Sequence, residues 1–493
     1  MNPPTRGYRL LEMVPGLLIW TAFVAAIVLS FVSPLWVMYF IILFDLFWLF
    51  RICHFIFLLL VSLRRYRRAI RMDWLALARQ DARFEDIRHL IFLPTVREDV
   101  GIIRTTLNTL LSSNYPMREK AIVVLAGEGR VGADFLAKAE TLRQEFGDRF
   151  LRFLVTVHPA DLPDEIPGKG SNLNYAGREA QKLIDALGVR YENVIVSSFD
   201  VDTCVHREYF GCLTRTYLSQ PDPTRASYQP MALYNNNMWE SSWFVRVAAF
   251  GTTFWLMTEL ARPEKLFTFA SHSMSLRMLV DVGFWQKDIV TEDSRIFLQA
   301  LVRYDGDYRV VPLYVPVSMD MVMSGDWRKD VGALYKQQRR WAWGVEHFPY
   351  MVTAFRGRPN MPFSKKFWHL WNQTEGMFSW AVAPILMFVL GYLPLWAAGN
   401  DLRTTVFFQN TPHTLEAIMR LSMMGILIMA AFSFTLLPPR PAKMRHRDYL
   451  VMALQWLAVP VTFVLFGALP AVDAQTRLMV GKYLGFNVTV KKR

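Results

Sequence analysis

Hydrophobic blocks at both ends of the chain, with a charged stretch of soluble composition between them, constrain the fold more than any other feature. From Met13 to Phe44 there is no charged residue, and Pro34 interrupts the run, so two spans joined by a tight turn are expected over roughly 13–33 and 35–63. A bilayer core needs about 20 residues of helix, which each provides. Arg64, Arg65, Arg67, Arg68 and Arg71 follow at once, a cluster whose cost of translocation keeps that flank in the cytosol, together with the N-terminus and its Arg6 and Arg9. The first block lacks a small-residue cleavage site and runs into the second, so it reads as an anchor and not as a removed leader. Further apolar blocks lie at Gly376 to Gly399, about Leu415 to Leu437, and Tyr449 to Val472, with a basic, cytosol-favouring loop from Pro438 to Arg447 between the last two. Residues 346–371, with Lys365, Lys366, Phe363, Phe367, Trp368 and Trp371, suit a helix in the interface plane or a partly buried soluble helix.

Composition supports a membrane assignment. The 493 residues are 53% hydrophobic, too apolar for an ordinary soluble enzyme of this length. Net charge is +13, but the basic residues crowd beside the apolar blocks as membrane flanks do, which disfavours nucleic acid as a partner. Cys53, Cys204 and Cys212 have no metal-ligand spacing and read as free thiols on a reducing face. Asp45, Arg51 and His54 interrupt the second span; such charges must face protein or water, lining a polymer channel or pairing with one another or with Glu375.

Between the blocks, His89 to Pro94, Ala121 to Leu125, Phe150 to Val157 and Asn193 to Phe199 read as buried strands, alternating with helical stretches such as Val100 to Leu111 and Gly132 to Phe146. This predicts an α/β sheet of largely parallel strands, in which ligands collect at the carboxyl ends of the strands. Short polar islands fall at such ends. Asp200 and Asp202, at i and i+2 after a strand, supply hard oxygens for Mg²⁺ or Mn²⁺, although an isolated Asp-x-Asp is more often a solvated turn. Lys169 sits in a glycine-flanked loop before a helix predicted from Asn174 to Leu187, where an ammonium and backbone N–H groups can meet phosphate. Asp293, before the periodic stretch Ser294 to Leu301, is placed as a general base or as a helix N-cap. Gln337 and Arg340 share a helix face beside Trp341; a guanidinium can bind diphosphate and an indole can offer a platform to a sugar ring, or the segment is one more membrane-flanking helix.

Taken together and in this order, the islands resemble the membrane-integrated family 2 glycosyltransferases, the group of cellulose, hyaluronan, chitin and poly-N-acetylglucosamine synthases. The resemblance covers roughly 85–345 plus the C-terminus and implies a GT-A domain, an α/β fold here inserted between N- and C-terminal transmembrane helices. It implies donor-nucleotide contacts from Thr95 and Glu98, from Lys169 with Asn172, and from Asp200, which with Asp202 looks like the family's metal and diphosphate motif. Asp293 of Thr291-Glu292-Asp293 is similar to the catalytic base, with Glu292 toward the acceptor. Gln337, Arg340 and Trp341 match QxxRW, which binds donor diphosphate and the acceptor end, and Phe486 to Lys491, with Thr489, matches the FxVTxK gating loop of processive synthases.

Departures from the pattern open particular questions. Ala126-Gly127-Glu128-Gly129 stands where many relatives carry Asp-Asp-Gly, so Glu128 must do the work of an Asp or base recognition differs. Phe269-Ala270-Ser271-His272-Ser273 replaces the acceptor loop of cellulose synthases and leaves the product open. Three C-terminal crossings would carry Phe486 to Lys491 outside; either 449–472 does not fully cross, in a re-entrant or interfacial arrangement, or the FxVTxK match is accidental. The division expected is an N-terminal hairpin with its basic flank over 1–72, a cytosolic GT-A domain over 73–345, interfacial helices over 346–375, a transmembrane region over 376–480 and a tail over 481–493. The function implied is inverting, metal-dependent polymerisation of a sugar from a nucleotide donor, with UDP as the expected carrier and a growing glycan as acceptor, at the inner or plasma membrane. The alternatives are single transfer to a lipid carrier or glycolipid, and a channel or receptor carrying a degenerate transferase domain.

Overall fold

Eight strands, in the order β3-β2-β1-β4-β7-β6-β8-β5, form one sheet in the computed structural model, which describes residues 5–439, 441 and 446–485. They are β1 Arg88–Pro94, β2 Ala121–Glu128, β3 Arg152–His158, β4 Val194–Ser198, β5 Cys204–Val205, β6 Ala226–Tyr234, β7 His272–Ser275 and β8 Arg309–Met319. β1, β2 and β4 are apolar runs buried along nearly their whole length, as strands covered by helices on both faces must be. They pair in parallel with one another and with β3, as the strand-length apolar runs predict. One covering helix, Ala133–Phe146, lies against β2 so closely that a Cβ on Gly127 would sit 2.2 Å from the Phe135 ring.

Beyond β4 the sheet is mixed. β7 runs antiparallel between β4 and β6, and β5 antiparallel to β8, whereas β6 and β8 are parallel. β7 is a four-residue strand, His-Ser-Met-Ser, buried at the middle of the sheet with Ser273 Oγ 2.8 Å from Ser197 Oγ of β4. Its polar composition carries no strand periodicity, which is why the sheet reads as largely parallel from sequence. The segment Phe269 to Ser273 is the approach to this strand, with Ser271 at φ 64°.

Helices Arg6–Val32 and Pro34–Ala69 meet at Ser33, so the hairpin turn is a single residue with Pro34 at the start of the second helix. Among the described residues five helical stretches are long and apolar enough to cross a membrane: these two, Phe363–Leu390, Val406–Thr435 and Arg447–Met479. Phe363–Ile385 is continuous, so Lys365, Lys366, Phe367, Trp368 and Trp371 stand on the first turns of an apolar helix that runs on past them. Arg51 pairs with Glu375 of that helix and packs over the Trp48 ring at 4.9 Å, which compensates one intramembrane charge by another. Asp45 is buried and His54 exposed on the second helix. All three cysteines are free.

The last apolar stretch runs along the sheet domain. Tyr449 packs on Trp239, Gln455 accepts from Arg246 at 3.0 Å, Trp456 stacks on Phe254, and Phe466 stacks on Phe244. It is α-helical only in pieces, with 3-10 and π turns at Gln455–Ala458 and Val464–Ala468, so its contacts bend around the domain. Its final helix, Leu469–Met479, ends beside the first turn of the chain: the Arg9 guanidinium donates to the Leu478 carbonyl at 2.7 Å.

Candidate active site

The carboxyl ends of β1, β2 and β4 and the N-terminal ends of two helices converge on one acidic centre. The first helix is Lys169–Ala186, which starts five residues earlier than the sequence predicts, so Lys169 belongs to its first turn and not to a loop. Glycine, serine and asparagine are weak helix formers, and tertiary contacts fix this start: Ser171 Oγ donates to the Ile166 carbonyl at 2.8 Å, and Asn172 Nδ2 to Ala126 of β2 at 2.9 Å. Gly170 is required by a close approach, because a Cβ there would lie 2.7 Å from the Gln286 carbonyl and 3.2 Å from Glu292 Cβ. The second helix is Glu292–Arg303, whose N-cap residue is Thr291; Asp293 therefore sits inside the first turn with its carboxylate facing the site.

Lys169 joins the two helices to the Asp-x-Asp turn after β4. Its ammonium is 2.8 Å from Asp200 Oδ1, 2.9 Å from each Asp293 carboxylate oxygen and 3.8 Å from Glu292 Oε1. Burial alone would depress this amine, but Asp200, Asp293 and Glu292 hold it well above its ordinary range. Glu292 is buried; burial, then Asp293, raise its carboxyl against the pull of Lys169 and Arg340. Asp202 is fully buried and accepts the Asp320 backbone N–H at 2.8 Å, so the aspartates of the turn play unequal parts: Asp202 ties the turn to the end of β8, and Asp200 faces the centre. Among the described residues no group of three or more His, Cys, Asp and Glu side chains forms a metal cage. The donor set still fits a hard divalent cation of the Mg²⁺ or Mn²⁺ kind, which takes one or two carboxylates and completes its shell with substrate phosphates.

The residues expected at the nucleotide cluster at the ends of β1 and β2. Thr95 N–H donates to the Ala126 carbonyl at 2.8 Å, the carbonyl that also receives Asn172. Glu98 folds back on its own turn, where one carboxylate oxygen accepts from Thr95 Oγ1 at 2.8 Å and the Val96 N–H at 2.7 Å. Glu128 is buried at the end of β2, paired with Arg130 on one oxygen, while the other, Oε1, has no hydrogen-bond partner among the described residues; burial raises its carboxyl. Gln337, Arg340 and Trp341 lie on the helix Trp327–Ala342. The Trp341 ring is 6.0 Å from Tyr234 at the end of β6, and Gln337, Trp341, Tyr234 and Asp320 border one small cavity. Thr489 and the rest of Phe486 to Lys491 lie outside the described residues.

Other residues bind this centre together without a role there being assigned from the sequence. His272 is buried beneath Asp293, its Nδ1 3.9 Å from the carboxylate and 2.7 Å from the Phe269 carbonyl, and burial keeps its ring below the usual imidazole range. Glu346, just past the QxxRW helix, receives the Thr291 hydroxyl on one oxygen and the Trp343 indole N–H on the other at 2.9 Å. His347 receives Arg295 Nε at 3.2 Å and meets Ser294 Oγ at 2.7 Å. The visible signal was a Glu-His pair following an aromatic turn, common enough to pass unnoticed. Arg339, adjacent to the matched Arg340, is turned away to Asp473 of the last helix at 2.8 Å.

Residues 195–469, more than half of the chain, match the family described as glycosyl transferase family group 2. No curated protein matches the sequence. Among solved structures, the mannosyltransferase PcManGT from Pyrobaculum calidifontis, in complex with GDP-Man and Mn²⁺, is similar at 15% identity over 83% of this chain and 99% of its own, with a TM-score of 0.39. S. aureus TarS 1–349 is similar at 12% identity over 71% of this chain and 92% of its own, with a TM-score of 0.36. Likenesses this distant decide neither donor nor acceptor. The family match over β4 to the last helix, on a sheet whose strand ends gather these carboxylates, places the chain in the family 2 glycosyltransferases: it is a glycosyltransferase of GT-A-type fold.

Proposed function

We propose that the protein is an inverting, metal-dependent glycosyltransferase that polymerises a sugar from a nucleotide donor, with UDP as the expected carrier, and can pass the product through its own spans. The observation that carries this reading is the meeting of Lys169, Asp200 and Asp293 at the strand ends, beside a helix that presents Arg340 and Trp341. Asp200 is the residue best placed to hold Mg²⁺ or Mn²⁺, with Asp202 fixing its turn, and the cation would neutralise the leaving diphosphate. Lys169 and Arg340 bring positive charge to the same phosphates. Asp293 accepts the proton of the acceptor hydroxyl as the oxygen attacks the anomeric carbon and the diphosphate departs. One displacement with one base inverts the anomeric centre. Trp341 and Tyr234 offer flat faces for the acceptor sugar.

The membrane arrangement that suits this chemistry has the catalytic unit on the cytosolic side of the inner or plasma membrane. The stretch Arg447–Met479 is then a re-entrant or interfacial segment: its first part is held by Trp239 and Arg246 of the domain, and its last helix packs along the first span, where Trp20 donates to Thr476 at 3.0 Å, and returns to Arg339 and Arg9. On that route the end of the last helix returns to the side of the first turn of the chain, where Arg9 donates to the Leu478 carbonyl.

Purified protein in nanodiscs, supplied with Mn²⁺ or Mg²⁺ and a panel of radiolabelled UDP and GDP sugars, is expected to give high-molecular-weight product from one donor, degraded by a glycosidase specific for that sugar. A single sugar attached to lipid would replace polymerisation by the alternative of single transfer. Silence across the panel, without nucleotide binding, would sink both.

A further inference from the structure

One side chain engages both the general base and the metal-facing aspartate. An ammonium has three N–H donors, and those of Lys169 are directed to Asp200 Oδ1 and to the two oxygens of Asp293. Lys169 is only 9% exposed, and its helix start is anchored by Ser171 and Asn172, so the contact is held from behind and is not a chance excursion of a long side chain. In this arrangement each oxygen of Asp293 already accepts an N–H of Lys169, so an acceptor hydroxyl must compete with the ammonium for the carboxylate. A cation approaching Asp200 meets a fixed positive charge hydrogen-bonded to the oxygen it needs.

We propose that Lys169 is the counter-cation of Asp200 and Asp293, masking them until a nucleoside diphosphate draws its ammonium onto phosphate oxygens, so that nucleotide and not metal opens the site. The inference rests on the metal-dependent reading given above and adds an order to it. Charge explains the exchange. Without ligands, Lys169 offsets Asp200, Asp293 and Glu292, whereas a diphosphate brings negative charge that competes for the ammonium and a cation that replaces it on the carboxylates. No bond is made or broken in this step; one ammonium changes partners. The empty enzyme would thereby keep its base covered when there is no donor to use it on.

Loss of the free Mn²⁺ spin-resonance signal, corrected by a protein-free titration for the Mn²⁺ that UDP or GDP binds alone, measures metal binding to the protein independent of turnover. For the full chain in nanodiscs, the wild type is expected to bind Mn²⁺ weakly without nucleotide and at least about tenfold more tightly with UDP or GDP, a ratio well within one displaced charge contact at a few ångströms. Lys169→Met should bind nucleotide-free Mn²⁺ at least about tenfold more tightly than the wild type. Because that variant leaves three carboxylates uncompensated, Lys169→Met combined with Glu292→Gln provides a second, less charged form with Asp200, Asp202 and Asp293 intact. Equal nucleotide-free affinity in wild type and both variants would overturn the inference while leaving metal dependence standing. Absence of Mn²⁺ binding in every form, even with UDP or GDP, would overturn the metal-dependent reading and this inference with it.

Discussion

Replacing Glu346 by Ala should damage the active centre although Glu346 touches neither of the aspartates. Its carboxylate is the joint between two motifs far apart in sequence, receiving the Thr291 hydroxyl from the start of the Asp293 helix and the Trp343 indole N–H from just beyond the QxxRW helix. Trp343 is 2% exposed, so its N–H would find no water in place of the lost oxygen, and Thr291 would have to turn its hydroxyl elsewhere. A buried donor left without a partner costs about 1–3 kcal/mol, and because the half-buried Thr291 can turn its hydroxyl, Trp343 sets the loss at about 1–3 kcal/mol. Glu346→Gln keeps the shape and one acceptor oxygen and should lose about half as much. The kinetic effect comes from position: a displacement of about 1 Å at the Thr291 turn can cost on the order of a hundredfold in turnover. Thermal unfolding in detergent followed by tryptophan fluorescence, alongside donor turnover, separates the effects. An Ala variant that unfolds within about 0.5 kcal/mol of wild type and turns over at the wild-type rate would refute the idea that this joint positions the base.

The packing around the site makes further predictions. Gly170→Ala should lower turnover by at least about tenfold even though Ala favours helix, because its Cβ would push on the Gln286 carbonyl and on Glu292; unchanged kinetics with a raised melting temperature would mean the helix start has slack. Arg339→Ala should release the last helix from the QxxRW helix, seen as faster amide exchange over Leu469–Met479, whereas unaltered exchange would show that Asp473 is held by its other partners. His89 of β1, buried against Tyr115 and Phe210, has its imidazole pushed down to about 3 by burial and, less, by Lys120. Because the unfolded ring titrates near 6.5, its neutral form leaves stability intact above that pH, and stability falls by up to about 1.4 kcal/mol per unit as the pH drops from 6.5 toward 3. His89→Phe should flatten that part of the profile; an identical acid limb in the variant would assign the loss to other groups.

The legible and illegible parts of this structure differ in where their information lies. β1, β2 and β4 are continuous apolar runs between polar loops, and the helix Val100–Leu111 follows its predicted bounds, because burial on both faces or on one face leaves a local trace. β7 leaves none: its residues are buried because Ser273 meets Ser197 of β4 and the Tyr209 hydroxyl and His272 meets the Phe269 carbonyl, facts of the assembled sheet. The start of the Lys169 helix was hidden for a related reason, since residues 168–172 are poor helix formers fixed by contacts to Ile166 and to Ala126. Asp200, Asp293 and Lys169 could each be noticed alone, but that one ammonium bridges positions 124 residues apart depends on strand order. Glu346 and His347 form a Glu-His pair after an aromatic turn, a pattern too common to mark a site, and only their bonds to Thr291, Ser294 and Arg295 set them apart.

The account turns on Asp293 being the base of a sugar transfer, and comparing wild-type and Asp293→Asn protein in the same nanodiscs tests it most directly. Donor consumption and product formation are followed with Mn²⁺ present and after chelation. Asn keeps the size and removes the proton acceptor, so the prediction is donor binding within a few fold of wild type, with transfer reduced by about 10²–10⁴-fold. Transfer by Asp293→Asn at the wild-type rate would contradict the assignment of the base and the mechanism built on it.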